Sequence, residues 1–316
     1  MNKRQLGKSG LKVSPLAFGG NVFGWTVDEA TSFKLLDAFA SAGFDFIDTA
    51  DVYSRWAPGN KGGESETILG KWMKQRGNRD KMIIATKVGM EMGPGKKGLS
   101  KSYIMSAVED SLRRLQTDYI DLYQSHEDDE QTPLEETLEA FAQLVEQGKV
   151  RAIGASNYSA ARLAEALKVS EQQKFPRYES LQPLYNLYDR ADFEKELEPI
   201  CVEKGVGVIS YYSLASGFLT GKYRAEEDLS KSVRGRGVKK YLNERGFRIL
   251  QALDEVAKQH DSTQARVALA WLIARPGITA PIVSATSLEQ LDDLVEATKL
   301  ELDQSSIELL NQASAW

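Results

Sequence analysis

Residues 104–123 read IMSAVEDSLRRLQTDYIDLY and residues 134–154 read LEETLEAFAQLVEQGKVRAIG. Each stretch begins as a helix and ends as a strand. In the first, Ile104, Ala107, Val108, Leu112 and Leu115 recur at spacings of three and four, which places them on one helical face ahead of the apolar run 120–123. In the second, Leu134, Leu138, Phe141 and Val145 repeat that stripe. Pro133 stands at the first turn, where its missing N–H costs nothing, and Gly148 permits a left-handed turn into the run 150–154. Strands that are apolar without alternation are covered on both faces, as in a parallel sheet buried under helices.

Working outward, runs at 16–19, 46–48, 82–87, 180–183, 206–210 and 280–283 complete eight strand candidates, separated by amphipathic segments and by helix-ending glycines such as Gly43 and Gly205. Eight such units predict an α/β chain folded as one (β/α)8 TIM barrel domain over residues 1–316. Residues 4–6 and 12–14 flank Gly7-Lys8-Ser9-Gly10 and predict an N-terminal β-hairpin closing the barrel floor. Segments 288–297 and 305–310 predict extra C-terminal helices. Residues 217–241, rich in Lys, Arg, Gly and Ser, predict a long functional loop in the seventh unit.

Composition narrows the chemistry. At 42% hydrophobic and 27% charged, the 316 residues exclude disorder and collagen-like order. The single Cys201 cannot form an internal disulfide and is expected to pack on a helix under the barrel. The start MNKRQLGKSG carries no apolar stretch, so the cytoplasm is the expected compartment. No apolar run reaches the length of a membrane span, and a net charge of −5 without a polybasic run argues against nucleic acid and anionic lipid as partners. Two histidines and one cysteine, far apart, offer no metal-ligand spacing. No Rossmann cofactor domain is expected, and 217–222 misses the P-loop pattern. A small-molecule substrate is expected; the pattern leaves the oligomeric state open.

In such a barrel the reacting groups stand at the carboxyl ends of the strands. Strand two ends in Asp48, five residues before Tyr53; strand three ends in Lys87; His126 follows strand four; Ser156 and Asn157 follow strand five. Gln182, Tyr211 and Ser284 take the same place on strands six to eight. A lysine ammonium beside a tyrosine favours the phenolate and is expected to lower the phenol from its usual value of about 10, with the ionised Asp holding the Lys. Such a tyrosine can protonate a carbonyl oxygen, and a histidine can orient that oxygen. The set supplies a proton and no hydride, so a nicotinamide cofactor would complete it. The structural alternatives are a plain Asp48–Lys87 barrel ion pair and, for Trp72, Trp271 and His260, packing roles.

Phe46-Ile47-Asp48-Thr49-Ala50-Asp51-Val52-Tyr53, Gly63-Glu64-Ser65-Glu66 with Leu69-Gly70, and Ala85-Thr86-Lys87 closely resemble the signatures of the aldo-keto reductase family. So do residues 115–123 with His126, 148–158, and Leu181-Gln182-Pro183 with Tyr185-Asn186, in order along nearly the whole chain. The resemblance implies NAD(P)H-dependent carbonyl reduction with Asp48, Tyr53, Lys87 and His126 as the catalytic four. It implies that Ser156, Asn157 and Gln182 bond the nicotinamide amide and that Tyr211, rather than Tyr212, stacks on its ring. Gly217, Leu219, Gly221 and Lys222 belong to the loop over the pyrophosphate, and Ser284, Ala285, Thr286, Gln290 and Asp293 to the adenosine segment, at a helix start that favours phosphate.

Two departures qualify the match. Relatives that prefer NADPH often carry Lys or Arg where this chain has Val283-Ser284-Ala285-Thr286-Ser287, so the 2′-phosphate is expected to meet hydroxyls, Lys222, Arg234 or Arg236. NADPH is the expected cofactor and NADH the alternative. After His126, Glu127-Asp128-Asp129 replaces the Trp or Pro of many members; acids at the mouth disfavour strongly anionic substrates. Phe23, Trp25 and Trp56 are the candidate aromatic walls of the substrate pocket. Two rival readings stand beside catalysis of carbonyl reduction: a cofactor-binding redox sensor with little turnover, and a lyase that forms a Schiff base on Lys87.

Overall fold

The computed structural model describes residues 2–233 and 235–316. It opens with an antiparallel hairpin, β1 (Arg4–Gln5) and β2 (Lys12–Val13), with Arg4 opposite Val13. Eight parallel strands follow: β3 (Ala17–Gly19), β4 (Phe46–Asp48), β5 (Ile83–Val88), β6 (Ile120–Ser125), β7 (Val150–Ser156), β8 (Tyr178–Gln182), β9 (Gly207–Val208) and β10 (Ile282–Val283). Their order is β10-β3-β4-β5-β6-β7-β8-β9. The two ends of that sheet meet, because the Thr279 N–H donates to the Val208 carbonyl at 2.8 Å and the Ile282 N–H to the Ser210 carbonyl at 2.8 Å. The expected eightfold barrel is therefore present and closed.

The helices that cover it are α1 (Glu29–Ser41), α2 (Glu64–Arg76), α3 (Lys101–Leu115), α4 (Leu134–Glu146), α5 (Ala160–Gln173), α6 (Glu198–Lys204), α7 (Glu244–Gln259) and α8 (Gln264–Ala274). The two expected C-terminal helices are α9 (Leu288–Glu296) and α10 (Gln304–Ala313). The whole apolar stripe of α3 is buried; on α4 Leu134, Leu138 and Phe141 are buried, while Val145 is only partly covered and its neighbour Leu144 is buried instead, and this packing against the sheet is what holds the segments as helices. Among the described residues no helix is long and apolar enough to cross a membrane.

The hairpin plugs the amino-terminal end of the barrel. Leu6, Leu11 and Val13 are buried in a cluster with Ala17, Phe46, Ala85, Leu122, Ala152, Ile209 and Ala280, one inward residue from each of seven strands or their flanks. Trp72 and Trp271 are fully buried, their ring N–H groups donating to Asp37 and Asn311, and Cys201 lies buried on α6. His260 ends α7 and bonds Ser306 of α10 at 3.0 Å. These are packing roles.

Two expectations are refined. Among the described residues, the long loop over 217–241 is built largely of short 3-10 turns, Ala215–Thr220, Glu226–Lys231 and Gly235–Tyr241. Phe218 stacks on Tyr241 at 5.3 Å, the Tyr241 hydroxyl donates to Asp189, and Arg224 grips Asp254 of α7 with two bonds at 2.6 and 2.9 Å. Strand β6 runs two residues beyond its apolar core because Gln124 and Ser125 find polar partners inside, in Asp48 and the Tyr178 hydroxyl.

Candidate active site

Side chains on a strand alternate between faces, so the residue two positions beyond each floor residue points inward one layer higher. Phe46 is followed by Asp48, Ala85 by Lys87, Leu122 by Gln124, Ile209 by Tyr211. That step from apolar floor to polar rim is what turns the barrel mouth into a site. Gly154 makes the room: a Cβ there would lie 2.2 Å from Ser180 Oγ and 3.1 Å from Gln124 Cγ.

The four expected catalytic residues converge. Lys87 Nζ, fully buried, donates to Asp48 Oδ2 at 2.6 Å, to the Thr49 carbonyl at 2.8 Å and to the Tyr53 hydroxyl at 2.9 Å. The Tyr53 hydroxyl lies 3.3 Å from Asp48 Oδ2, and the His126 ring stands edge-on to the Tyr53 ring at 5.9 Å. Asp48 Oδ1 accepts from Gln182 at 2.8 Å. His126 Nδ1 is buried without a hydrogen-bond partner.

The electrostatics correct one expectation. Burial, and then the Asp48 charge, push the Tyr53 phenol well above its usual value rather than below it. The ammonium beside the phenol is shared with a carboxylate, so its pull does not outweigh burial and the Asp48 charge. Tyr53 is consequently a neutral phenol that keeps its proton to give. Burial also lowers Lys87, against the pull of Asp48, and it drives His126 well below the usual imidazole range with Lys87 adding to the effect. His126 is therefore neutral and can donate a ring N–H without carrying charge.

Around these four, the residues expected to hold a nicotinamide amide form one chain of bonds. Ser156 Oγ donates to the Gln182 carbonyl at 2.9 Å, Asn157 Nδ2 donates to the His126 carbonyl at 2.9 Å, and the Tyr211 hydroxyl donates to Asn157 Oδ1 at 2.8 Å. Asn157 adopts φ +55°, a left-handed conformation that Asn tolerates better than most residues. Tyr212 is 54% exposed with φ +53°, and its ring meets that of Tyr211 edge-on at 5.5 Å and 61°.

On the next loop Ser216 and Gly217 are left-handed, φ +59° and +94°, and a Cβ on Gly217 would lie 3.4 Å from Lys222 Cε. Lys222 thus folds back over a glycine turn, while Leu219 is buried beneath it and Gly221 closes the turn at φ +78°. A turn of bare backbone under an ammonium fits a pyrophosphate. Arg236 is exposed; Arg234 lies outside the described residues.

The polar side chains of the adenosine segment already have protein partners. Ser284 Oγ donates to the Gly19 carbonyl at 2.8 Å and meets Asn21 Oδ1 at 2.7 Å; Thr286 bonds Gln290 through both backbone and hydroxyl; Ala285 is buried. Asp293 is held by Arg266 at 2.7 Å and by the Thr263 hydroxyl at 3.2 Å.

On the substrate side Phe23 is fully buried and stacked on Phe18 at 5.3 Å, because the turn after β3 carries it into the core; it is no pocket wall. Trp25 and Trp56 do form an aromatic corner, 5.6 Å apart and perpendicular, and Trp56, half exposed, meets Tyr53 at 6.0 Å. The acids after His126 are mostly spent: Asp128 is paired with Arg162 at 2.9 Å, and Asp129 accepts from the Leu99 and Gln131 N–H groups and the Thr132 hydroxyl. Their repulsion of anionic substrates is correspondingly reduced.

Sequence reasoning missed Gln124, Asn21, Arg266 and the Thr49 carbonyl. Gln124 carried a usable signal, its place two residues beyond the inward Leu122. Asp51, quoted only as part of a motif, lies just outside the site with both oxygens buried and unpartnered; burial and then the Glu66 charge push it up to about 8. The unfolded chain ionises an aspartate near 4, so the stability this group contributes is full below about pH 4 and is lost as pH rises through about 8. Asp51→Asn, with no proton to hold, should gain on the native protein by roughly 2–4 kcal/mol between pH 5 and pH 8. Denaturant titrations at those two pH values check this, and a difference that does not change with pH would contradict it.

The sequence profile of the Aldo/keto reductase family matches residues 15–315. An uncharacterised oxidoreductase of Bacillus subtilis is 38% identical over 98% of this chain and 95% of its own length. An L-glyceraldehyde 3-phosphate reductase of Escherichia coli O157:H7 is 33% identical over 94% and 87% of the two chains. A probable voltage-gated potassium channel subunit beta of Arabidopsis thaliana is 33% identical over 94% and 91%.

Proposed function

The chain belongs to the aldo/keto reductase family of oxidoreductases, and from that premise we propose that it reduces aldehyde or ketone carbonyls to alcohols with NADPH, Tyr53 giving the proton. The observation that carries the reading is the buried Lys87 ammonium shared among Asp48, the Thr49 carbonyl and the Tyr53 hydroxyl at a barrel mouth. A bound nicotinamide cofactor would supply the hydride. Tyr53, a neutral phenol, donates its proton to the carbonyl oxygen as charge develops there; Lys87 stabilises the tyrosinate that remains, and Asp48 keeps Lys87 in place. Neutral His126 orients the oxygen through a ring N–H.

Gln182 gives its N–H to Asp48, so its carbonyl oxygen is the end that would accept from a carboxamide, with Ser156 and Asn157 beside it and Tyr211 as the stacking ring. Gly217, Leu219, Gly221 and Lys222 would hold the pyrophosphate. Ser284, Ala285, Thr286, Gln290 and Asp293 would line the adenosine end. Lys222→Ala should weaken NADPH and NADH alike, by about tenfold in Kd for one charge-assisted contact. Quenching of tryptophan fluorescence measures both, and unchanged affinities would remove Lys222 from the site.

A Schiff-base role for Lys87 has little support, since its amine is fully buried with all three N–H groups given away. The likeness to a potassium channel subunit keeps a sensor role as the second reading. The deciding experiment follows the loss of NADPH and, separately, NADH absorbance with a panel of aldehydes and ketones. Turnover supports the reductase; tight NADPH binding with no turnover on a broad panel favours the sensor; binding of neither nucleotide overturns the cofactor assignment.

A further inference from the structure

The first turn of α2 lies behind the barrel wall and touches both catalytic strands. Ser65 Oγ donates to the Gly20 carbonyl at 2.7 Å and shares a bond of 2.8 Å with Thr49 Oγ1, and it is the Thr49 carbonyl that receives Lys87 Nζ. Glu66, fully buried, uses both carboxylate oxygens: Oε1 accepts from Thr86 Oγ1 at 2.5 Å and Oε2 from Arg114 Nε of α3 at 2.6 Å. Thr86 directly precedes Lys87 on β5, its side chain facing outward where that of Lys87 faces inward.

We propose that Glu66 is a positioning residue for Lys87, fixing it from outside the barrel through Thr86 while Asp48, Tyr53 and the Thr49 carbonyl hold it from inside. The inference rests on the catalytic reading of Lys87. A single acceptor bound to a hydroxyl alone would leave Thr86 free to rotate; a carboxylate locked by the guanidinium gives that hydroxyl one fixed address. The chain makes space for the lock. Gly63 has φ +88°, and a Cβ there would lie 2.4 Å from Arg114 Cδ, so only glycine lets the arginine pass over the helix start.

A cavity of about 320 Å³ lined by Asp51, Tyr103, Asp110 and Arg114 borders the pair. A guanidinium released from Glu66 can turn into that space toward water instead of remaining a buried unpaired charge, so variants at Glu66 are expected to fold. Asp51, whose N–H donates to the Lys87 carbonyl at 3.3 Å, offers a replacement carboxyl beside Arg114.

The test compares Glu66→Ala, Glu66→Gln and Thr86→Val with the native protein in kcat, carbonyl KM and cofactor Kd, together with crystal structures of the cofactor-free proteins. Glu66→Ala and Thr86→Val should lower kcat about ten- to a hundredfold, the scale of a misplaced catalytic group, with KM and cofactor affinity unchanged. The Lys87 Nζ to Tyr53 hydroxyl distance should lengthen from 2.9 Å in both. Glu66→Gln should recover to within about threefold, because a glutamine can accept from Arg114 and donate to the reversed Thr86 hydroxyl. Native kcat in Glu66→Ala and Thr86→Val overturns the proposal, as does a Gln variant no better than the Ala variant. If the native protein reduces no carbonyl while the Lys87–Tyr53 distance still opens in Thr86→Val, the positioning stands and the reductase reading falls. If the native protein turns over and Lys87 does not move in Thr86→Val, the positioning falls alone.

Discussion

Tyr53→Phe is expected to lower kcat for carbonyl reduction by about 10²–10⁴-fold, the usual contribution of a positioned general acid. Cofactor affinity should stay at its native value. The ring remains, so its edge-on contacts with Trp56 and His126 survive and only the hydroxyl bonded to Lys87 is lost. His126 cannot take over, since burial keeps it neutral and a poor acid. The same site predicts how the two reaction directions depend on pH. Burial and Asp48 hold the Tyr53 proton well above the usual phenol range, so the donor form persists and the reduction rate should stay flat on the alkaline side to about pH 9. Alcohol oxidation needs the phenolate as base, the form that burial and Asp48 disfavour, and should climb with pH over the same range. Turnover retained in Tyr53→Phe would remove the phenol from the chemistry.

Why so much of this site can be read in the chain follows from strand geometry. Phe46/Asp48, Ala85/Lys87 and Leu122/Gln124 repeat one step, an apolar residue that packs the floor and a polar one two positions on, and a period of two is visible without coordinates. The strands themselves stand out because cover on both faces removes alternation. What escapes is whatever depends on a partner far along the chain. The 3-10 turns of 215–241 rest on Tyr241 meeting Asp189 and Arg224 meeting Asp254, separations of 52 and 30 residues that no local propensity encodes. Phe23 follows a strand like any rim residue, yet the turn after β3 drops it onto Phe18. The direction of the Tyr53 shift turns on burial first and on the Asp48 charge second, both of which a pairwise Lys–Tyr argument leaves out. Asp293 looks open to a ligand until Arg266 arrives from another helix.

Lys87→Met should cost more than any other single change at the site, in stability as well as rate. Asp48 is 1% exposed in the native fold, and the lysine is its counter-charge at 2.6 Å. Without it, the carboxylate keeps the amide bonds of Gln182 at 2.8 Å and Gln124 at 3.4 Å but no cation, and the Thr49 carbonyl loses its donor. Breaking a buried pair from one side typically costs about 3–5 kcal/mol, because the remaining charge stays buried and unpaired. Turnover should fall at least as far as in Tyr53→Phe, since the tyrosinate formed on proton transfer would face Asp48 with no ammonium between them. The two effects separate in the double variant Asp48→Asn/Lys87→Met. Removing both charges together leaves no buried charge unpaired, so most of the lost stability should return while activity does not. Denaturant unfolding and steady-state rates on the two single variants and the double give that cycle. A double variant as unstable as Lys87→Met would show that the cost lay in packing rather than charge. Recovery of rate along with stability would show that the ion pair only holds the barrel together.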